Sequence, residues 1–404
     1  MSNTICPLPW IHASFDIRGR SRICCNTDSR NLILDDNGNY ITINDVDNYN
    51  DVLNTKYVKD IRQSMINGER HPVCSNCYKI EDNGGISPRM SYIENYQYVH
   101  GKIEVQYIDM ALSNKCNIKC MMCSPLVSDQ LYQDFDQLNI PFDKNEYKLN
   151  MDTWQEDDVL RLISTHAMTL KRILTTGGEP LINHIHLKVL DWLIDNGHAD
   201  HIVLSYHTNA TVLPLRIVDK WTQFKQVNLN VSLEGTREIN DYVRYGSRWD
   251  VIEKNIKRIS KLTNQYPGKI NCHIHTCLMA SNIFNFVDLC KWLNENTTIA
   301  PIPYSNTVYE PKFLNPSIMP HDLKNRLSDV INDILGVNFN HSMHQKWIKD
   351  KLKNFISLAQ HYQTQPYDDE LWKQFIDYHK KFESKRQNNL SHIQPLFERY
   401  WKLK

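Results

Sequence analysis

The sequence predicts an α/β chain built on a partial (β/α)6 barrel of parallel strands, of the TIM type. A small N-terminal segment precedes the barrel and a helical extension follows it. Three observations carry this. From residue 103 onward, runs that alternate in polarity are followed repeatedly by runs with helical apolar spacing, as βα units require. About six such units fit, short of the eight that close a full barrel. Four polar motifs rich in Cys, Gly or Asn fall directly after predicted strands, where parallel barrels collect their chemistry.

The elements follow in order. Segment 1–102 is rich in turns and Asn, with one helix predicted over 52–67. IEVQYIDMAL (103–112) alternates and reads as the first barrel strand, followed by a cysteine cluster and a helical stretch from Pro125. LKRILTTGGEP (170–180) reads as a strand with a glycine turn, and 184–196 as a helix. HIVLSYHTNAT (201–211) and QVNLNVSLEG (226–235) read as strands with polar exits. Then come a helix at 249–262, a strand at 269–279, a helix at 282–296 and a last strand within 299–311. Beyond residue 316 three stretches carry 3.6-type spacing: HDLKNRLSDVINDIL, HQKWIKDKLKNFISLAQHY and DDELWKQFIDYHKKFESKR. The aromatic and basic residues of the last stretch, with the closing RYWKLK, read as a solvated face or, more sharply, a docking face. The predicted organisation is 1–102, 103–315 and 316–404.

Composition excludes several classes. The chain has 404 residues, with 46 Lys plus Arg against 46 Asp plus Glu, so its formal charge is zero. Without a global field, gripping nucleic acid or an acidic membrane is not its main business. Hydrophobic residues make up 41%, enough for real cores. No run of 18 apolar residues occurs, so no membrane span is expected. The chain does not open on a basic segment followed by an apolar core, so cytoplasmic residence is expected. Eleven cysteines, an odd number, do not suit a disulfide framework; metal binding or catalysis fits better.

The cysteines are grouped. Cys6, the pair Cys24-Cys25, and Cys74 with Cys77 fall early. Cys116, Cys120 and Cys123 are packed in KCNIKCMMC. Cys272, Cys277 and Cys290 lie in apolar surroundings and read as core. Soft thiolates select zinc or iron–sulfur clusters. Structural zinc takes four ligands, whereas the 116–123 loop offers three. Three thiolates on a [4Fe–4S] cube leave one iron open to a small molecule. A zinc site completed by a distant His or Cys is the competing reading.

CNIKCMMC resembles the CxxxCxxC motif of the radical S-adenosylmethionine (SAM) enzymes. The resemblance implies a [4Fe–4S] cluster on Cys116, Cys120 and Cys123 whose open iron binds SAM. It implies reductive cleavage of SAM to a 5′-deoxyadenosyl radical that takes a hydrogen from substrate. Secondary motifs in order strengthen it. Thr176-Gly177-Gly178-Glu179-Pro180 matches the family's GGE segment, where glycines let backbone approach and a carboxylate suits the ligand ammonium. His207-Thr208-Asn209 corresponds to a strand end that contacts SAM through Thr208 and Asn209. Ser232-Leu233-Glu234-Gly235 resembles S-[LI]-[DE]-G, with Ser232 and Glu234 toward the ribose and SAM backbone. Arg244 resembles the arginine that meets the SAM carboxylate. Met122 stands where many members carry an aromatic near adenine, and a thioether packs on a purine too. The resemblance covers roughly 103–310.

The early group, C-x12-G-x4-C from Cys6 through Gly19 to Cys24, then Cys74-x2-Cys77, resembles the auxiliary-cluster domains called SPASM and twitch. With no cysteine between 78 and 115, the shorter one-cluster twitch type fits better. The resemblance implies an auxiliary [4Fe–4S] cluster on Cys6, Cys24, Cys74 and Cys77, ahead of the barrel instead of after it. Cys25 either replaces Cys24 or is a free thiol. A Cys₄ zinc site is the alternative. Trp10, His12 and Arg89 are near in sequence and candidates to line the site.

A peptide or protein side chain is the expected substrate, by resemblance; a small metabolite is the alternative. Flavodoxin or ferredoxin would be the electron donor. A non-catalytic two-cluster electron carrier and a zinc-stapled binding protein are the other classes. Tyr309, Glu310 and His275 near strand ends are candidates for a general base.

Overall fold

A computed structural model describes residues 4–28, 30–82, 85–96, 102–149, 153–339 and 345–402. The helix read from His344 is described from Gln345, and the closing Leu403 and Lys404 lie outside the described residues. The strands are β1 (His12–Phe15), β2 (Ser21–Arg22), β3 (Tyr107–Ala111), β4 (Lys119–Cys120), β5 (Arg172–Thr176), β6 (Val203–Thr208), β7 (Gln226–Ser232), β8 (Arg244–Tyr245), β9 (Ile270–Leu278) and β10 (Tyr304–Thr307).

Eight strands form one sheet in the order β10-β9-β7-β6-β5-β3-β1-β2, and β4 pairs with β8 separately. Within the eight-stranded sheet pairing is parallel at β1–β3, β3–β5, β5–β6 and β9–β10 and antiparallel at β1–β2, and the separate β4–β8 pair is antiparallel. The fold is therefore α/β, with a mostly parallel sheet flanked by helices. The six strands expected from the sequence are present as β3, β5, β6, β7, β9 and β10. Two further strands come from the N-terminal segment, which thus extends the sheet. The reason they were not legible is burial: all four residues of β1 are buried, so no alternation marks it.

The chain divides into two compact units, 1–115 with 143–206 and 216–227, and 116–142 with 207–215 and 228–404. In the first unit the helix Lys56–Ile66 buries Val58, Ile61 and Met65, the spacing of a one-sided helix. The helix His184–Asp195 starts at Asn183, whose side chain accepts from the Ile185 and His186 amides at 2.9 and 3.4 Å.

In the second unit β9 alternates strictly. Ile270, Cys272, Ile274, Thr276 and Leu278 are buried, while Asn271, His273, His275 and Cys277 are half-buried on the other face. The helix Trp249–Gln265 buries Ile252, Ile256 and Ile259. The C-terminal helices Gln345–Thr364 and Asp369–Glu383 bury Phe355, Tyr362, Trp372, Phe375, Tyr378 and Phe382. Phe286 and Phe355 stack with centroids 4.0 Å apart. The aromatic stripe read as a solvated face is thus core. Spacing reveals a stripe but not what covers it. Among the described residues no helix is long and apolar enough to cross a membrane.

Candidate functional site

The three-cysteine loop lies in the second unit. Cys120 is buried, and Cys116 and Cys123 are half-buried. The β4–β8 ribbon places Arg244 directly opposite Cys120, and the Arg244 Nη1 reaches the Cys120 Sγ at 3.7 Å. The loop is further fixed by the Cys116 amide on Asp129 Oδ1 at 3.1 Å and by Ser128 Oγ on the Ile118 carbonyl at 2.8 Å. Cys120 is held below the usual thiol value, first by a hydrogen bond from Cys123 and then by Arg244. A thiol whose deprotonation is favoured by a fixed cation is poised to bind metal.

Asn209, Arg244 and Glu234, singled out separately in the sequence, meet at this loop. Asn209 Nδ2 lies 3.9 Å from the Cys116 Sγ and donates to Asn117 Oδ1 at 2.9 Å. Thr208 is buried, and its hydroxyl accepts from the Ala210 amide at 3.1 Å. Glu234 is buried and pairs with Arg244 at 3.1 Å. Burial raises the Glu234 carboxyl, with Arg244 opposing. Burial works against the Arg244 charge, yet Cys120 and Glu234 outweigh it and its value rises. Arg244 is therefore a buried ion-pair partner and not an exposed one. Ser232 is half-buried at the end of β7. Met122 is half-buried beside Cys123 on a cavity of about 580 Å³, together with Val127, Phe135, Ile140 and Phe313.

Cys272 and Cys290 are core, as expected, but Cys277 is not. It is half-buried, its amide donates to Glu234 Oε2 at 2.7 Å, and its thiol is pushed up to about 12, by burial and then by Glu234. Its apolar neighbours in sequence hid a place on the polar face of β9.

Three functional contacts had no sequence signal. The Tyr378 hydroxyl donates to the Met121 carbonyl at 2.9 Å. Arg386 donates to the Lys119 carbonyl at 3.2 Å and reaches the Met121 sulfur at 3.0 Å. It also lies flat against the rings of Tyr245 and Phe382 at 4.3 and 4.2 Å. The C-terminal helical region thus clamps the middle of the cysteine loop. Partners more than 250 residues apart leave no local pattern.

The GGE segment lies in the first unit, docked on the turn after β3. Gly178 donates to the Ser113 carbonyl and Glu179 to the Lys115 carbonyl, each at 2.9 Å. A Cβ at Gly178 would sit 2.0 Å from the Lys115 oxygen, and Gly177 holds φ at +111°, where a Cβ would sit 2.6 Å from the Ser113 oxygen. The Glu179 carboxylate is buried and accepts from the Leu181 amide at 3.0 Å, starting the turn at Pro180. Both glycines let the backbone pack closely on the turn after β3. The carboxylate serves the local backbone through at least one oxygen.

Cys6, Cys24, Cys74 and Cys77 line one pocket of the first unit, with Leu8, Ile23, Met65 and Val73. Cys25 lies outside it and hydrogen-bonds Asp109. Burial in this apolar pocket, then the Cys77 thiol, push Cys74 up to about 12; burial also takes Cys24 to about 12. The sulfurs are supplied with donors: the Leu8 amide for Cys6, the Asn26 amide for Cys24, and Asn26 Nδ2 for Cys77 at 3.2 Å. Four thiols in an apolar-lined pocket with amide donors fit an iron–sulfur cluster, whose sulfurs take such bonds. Among the described residues no group of three or more His, Cys, Asp or Glu is arranged to hold a metal ion.

The remaining candidates divide. Arg89 lines the four-cysteine pocket, held by Glu81 and by the Ile5 carbonyl at 2.7 Å. Trp10 packs under Arg62, and His12 stacks on Tyr107 at 4.2 Å with Nδ1 on the Ile23 carbonyl; neither lines the pocket. Tyr309 is 73% exposed. Glu310 lies on the cavity beside Cys123. Burial takes His275 down to about 3, which leaves it a neutral imidazole and a poor base.

Two curated proteins of Clostridium perfringens (strain SM101 / Type A and strain 13 / Type A), both named GTP 3',8-cyclase, are each 25% identical over 191 residues, 46% of this chain. The chain spans about half the length of these relatives, 52%. Among solved structures, Streptococcus suis SuiB bound to S-adenosylmethionine shares 14% identity, with a TM-score of 0.37 over 70% of this chain and 60% of SuiB. Native anSMEcpe with bound AdoMet and Cp18Cys peptide shares 16%, with a TM-score of 0.35 over 57% of this chain and 60% of that one. The family model described as the radical SAM superfamily matches residues 110–288, a stretch that includes all three loop cysteines, the GGE segment, Asn209, Glu234 and Arg244. The chain therefore carries, over residues 110–288, a radical SAM superfamily domain.

Proposed function

We propose that this chain is a radical SAM enzyme that takes a hydrogen from a peptide or protein side chain. One observation carries the reading. Asn209 and Arg244, picked from separate segments, meet the sulfurs of Cys116 and Cys120. When bound, a four-iron cluster and SAM together supply a reductively generated 5′-deoxyadenosyl radical. Cys116, Cys120 and Cys123 would hold that cluster. Arg244, kept charged by Glu234, would neutralise thiolate charge at the loop and offer a donor to the SAM carboxylate. Asn209 would hold the loop through Asn117 and leave Thr208, Ser232 and Met122 to meet the nucleoside.

The second cysteine group would hold an auxiliary [4Fe–4S] cluster on Cys6, Cys24, Cys74 and Cys77, as in twitch-type proteins. Full ligation would suit it to electron transfer or to stiffening its segment. A flavodoxin or ferredoxin would deliver the electron, and a reducing cytoplasm would preserve both clusters. A small metabolite is the second reading of the substrate, favoured by the likeness to proteins named GTP 3',8-cyclase.

The test is direct. Anaerobically reconstituted protein, reduced with dithionite and given SAM, is expected to release 5′-deoxyadenosine, and Cys116→Ala, Cys120→Ala and Cys123→Ala to abolish it. Intact clusters with no product would overturn the enzyme reading. Stoichiometric zinc with little iron or sulfide would overturn the cluster reading as well.

A further inference from the structure

One face of β9 carries side chains that the reading above does not use. Tyr304 of β10 pairs in register with His275, and paired residues of neighbouring strands project to the same face. The rings of His275 and Tyr304 stack at 4.6 Å. Two residues toward the start of β9, His273 stacks on Trp347 at 5.1 Å. Trp347 and Lys351 belong to the helix Gln345–Thr364, one turn apart. The Lys351 ammonium sits 3.9 Å above the Tyr304 ring and 4.8 Å from that of Trp347.

This cluster stands one layer from the cysteine loop by two routes. Cys277, about 7 Å along β9 from His275, gives its amide to Glu234, which pairs with Arg244 against Cys120. His207, two residues before Asn209, meets the His275 ring at 5.6 Å. Both lines of side chains lead from the loop sulfurs to the same imidazole.

We propose that Lys351, backed by Tyr304, Trp347 and His275, is the anchor for an anionic group of the substrate, a carboxylate or a phosphate. The charge state of the cluster carries this. Lys351 is the cation of the group, and among the described residues no carboxylate forms an ion pair with it. Ring faces offset the partial desolvation of an ammonium only in part. Burial already pulls Lys351 below the usual lysine value, with Asp350 opposing, as expected of a cation short of its counter-ion. His275 Nε2 is buried with no hydrogen-bond partner among the described residues, so a neutral ring nitrogen stands ready beside the cation. A cationic substrate would meet repulsion and no acceptor of full charge.

The proposal rests on the radical SAM reading for its role in substrate recognition, whereas binding itself needs no cluster. The probes are N-acetyl-glutamate for the carboxylate source, inorganic phosphate for the phosphate source, and N-acetyl-glutamine as the neutral isostere. Binding to the full chain is followed by calorimetry. At least one anion is expected to bind while the neutral isostere does not. Lys351→Gln should weaken that binding by about tenfold or more, Lys351→Arg should restore it, and Lys353→Gln, exposed on the same helix, should leave it unchanged. Lys351→Met, which keeps the stem on the two rings, replaces Lys351→Gln if that variant does not fold. The anion that binds names the source. Binding of neither anion, or equal binding by Lys351→Gln, overturns the anchor. Release of 5′-deoxyadenosine by the wild-type chain is measured in parallel. Its loss with anion binding intact sinks the enzyme reading alone, and its presence without anion binding sinks the anchor alone.

Discussion

Arg244 is held by a carboxylate, a sulfur and a β-ribbon at once, and this fixes what its removal does. Arg244→Gln leaves the Glu234 carboxylate buried without its counter-charge. We expect a loss of about 3–5 kcal/mol in anaerobic denaturant unfolding of the metal-free chain. Glu234→Gln with Arg244→Gln should recover part of that loss, because no charge is then stranded. The two glycines offer a sharper contrast. A methyl at Gly178 meets the Lys115 carbonyl at 2.0 Å, which only a backbone shift relieves, so Gly178→Ala should lower stability by several kcal/mol. At Gly197, φ is +72° but open space surrounds the position, so Gly197→Ala should cost only about 1 kcal/mol. Thermal unfolding of the two variants side by side checks this. Glycine motifs are legible because they concern backbone, as the GGE segment shows. Cys277 was misread because strand neighbours on the opposite face set its apparent surroundings.

At the level of elements, strands and helices of the barrel were readable from period alone, since each βα unit buries one face of each member. What period could not give was the partner of an exposed-looking stripe. The helix Asp369–Glu383 turns Tyr378 onto the Met121 carbonyl, and Arg386 follows onto Lys119 and the Met121 sulfur. These two residues are positioning groups for the loop. Tyr378→Phe should cost about 1–2 kcal/mol by leaving a buried carbonyl unpaired. It should also speed iron loss to a chelator from the Cys116–Cys120–Cys123 loop, read in a Cys74→Ala background so that one cluster reports. Unchanged iron release in Tyr378→Phe would mean that the helix packs beside the loop without steadying it.

For the molecule as a whole, iron content and acid stability are the accessible quantities. If both cysteine groups hold four-iron clusters, the wild-type chain should carry about eight irons and Cys74→Ala about four. Iron unchanged in Cys74→Ala would remove the auxiliary cluster. Acid stability follows from buried imidazoles. Burial takes His186 down to about 4 and His379 to about 3, while each rises toward 6.5 when the chain unfolds. The unfolded chain then binds protons that the folded chain refuses. Stability should therefore fall as pH drops from about 6.5 toward 4. His379→Gln should flatten that slope in denaturant titrations of the metal-free chain.

The clamp on the cysteine loop also sets an order in time. Met121 and Tyr378 are 257 positions apart, so the loop leaves the ribosome long before the residues that close it. During synthesis three free thiols are accessible to whatever delivers iron and sulfide, and they become enclosed only after the segment bearing Tyr378 and Arg386 emerges. Maturation and folding are thereby staggered, and a chain stalled before that segment would present an unguarded loop.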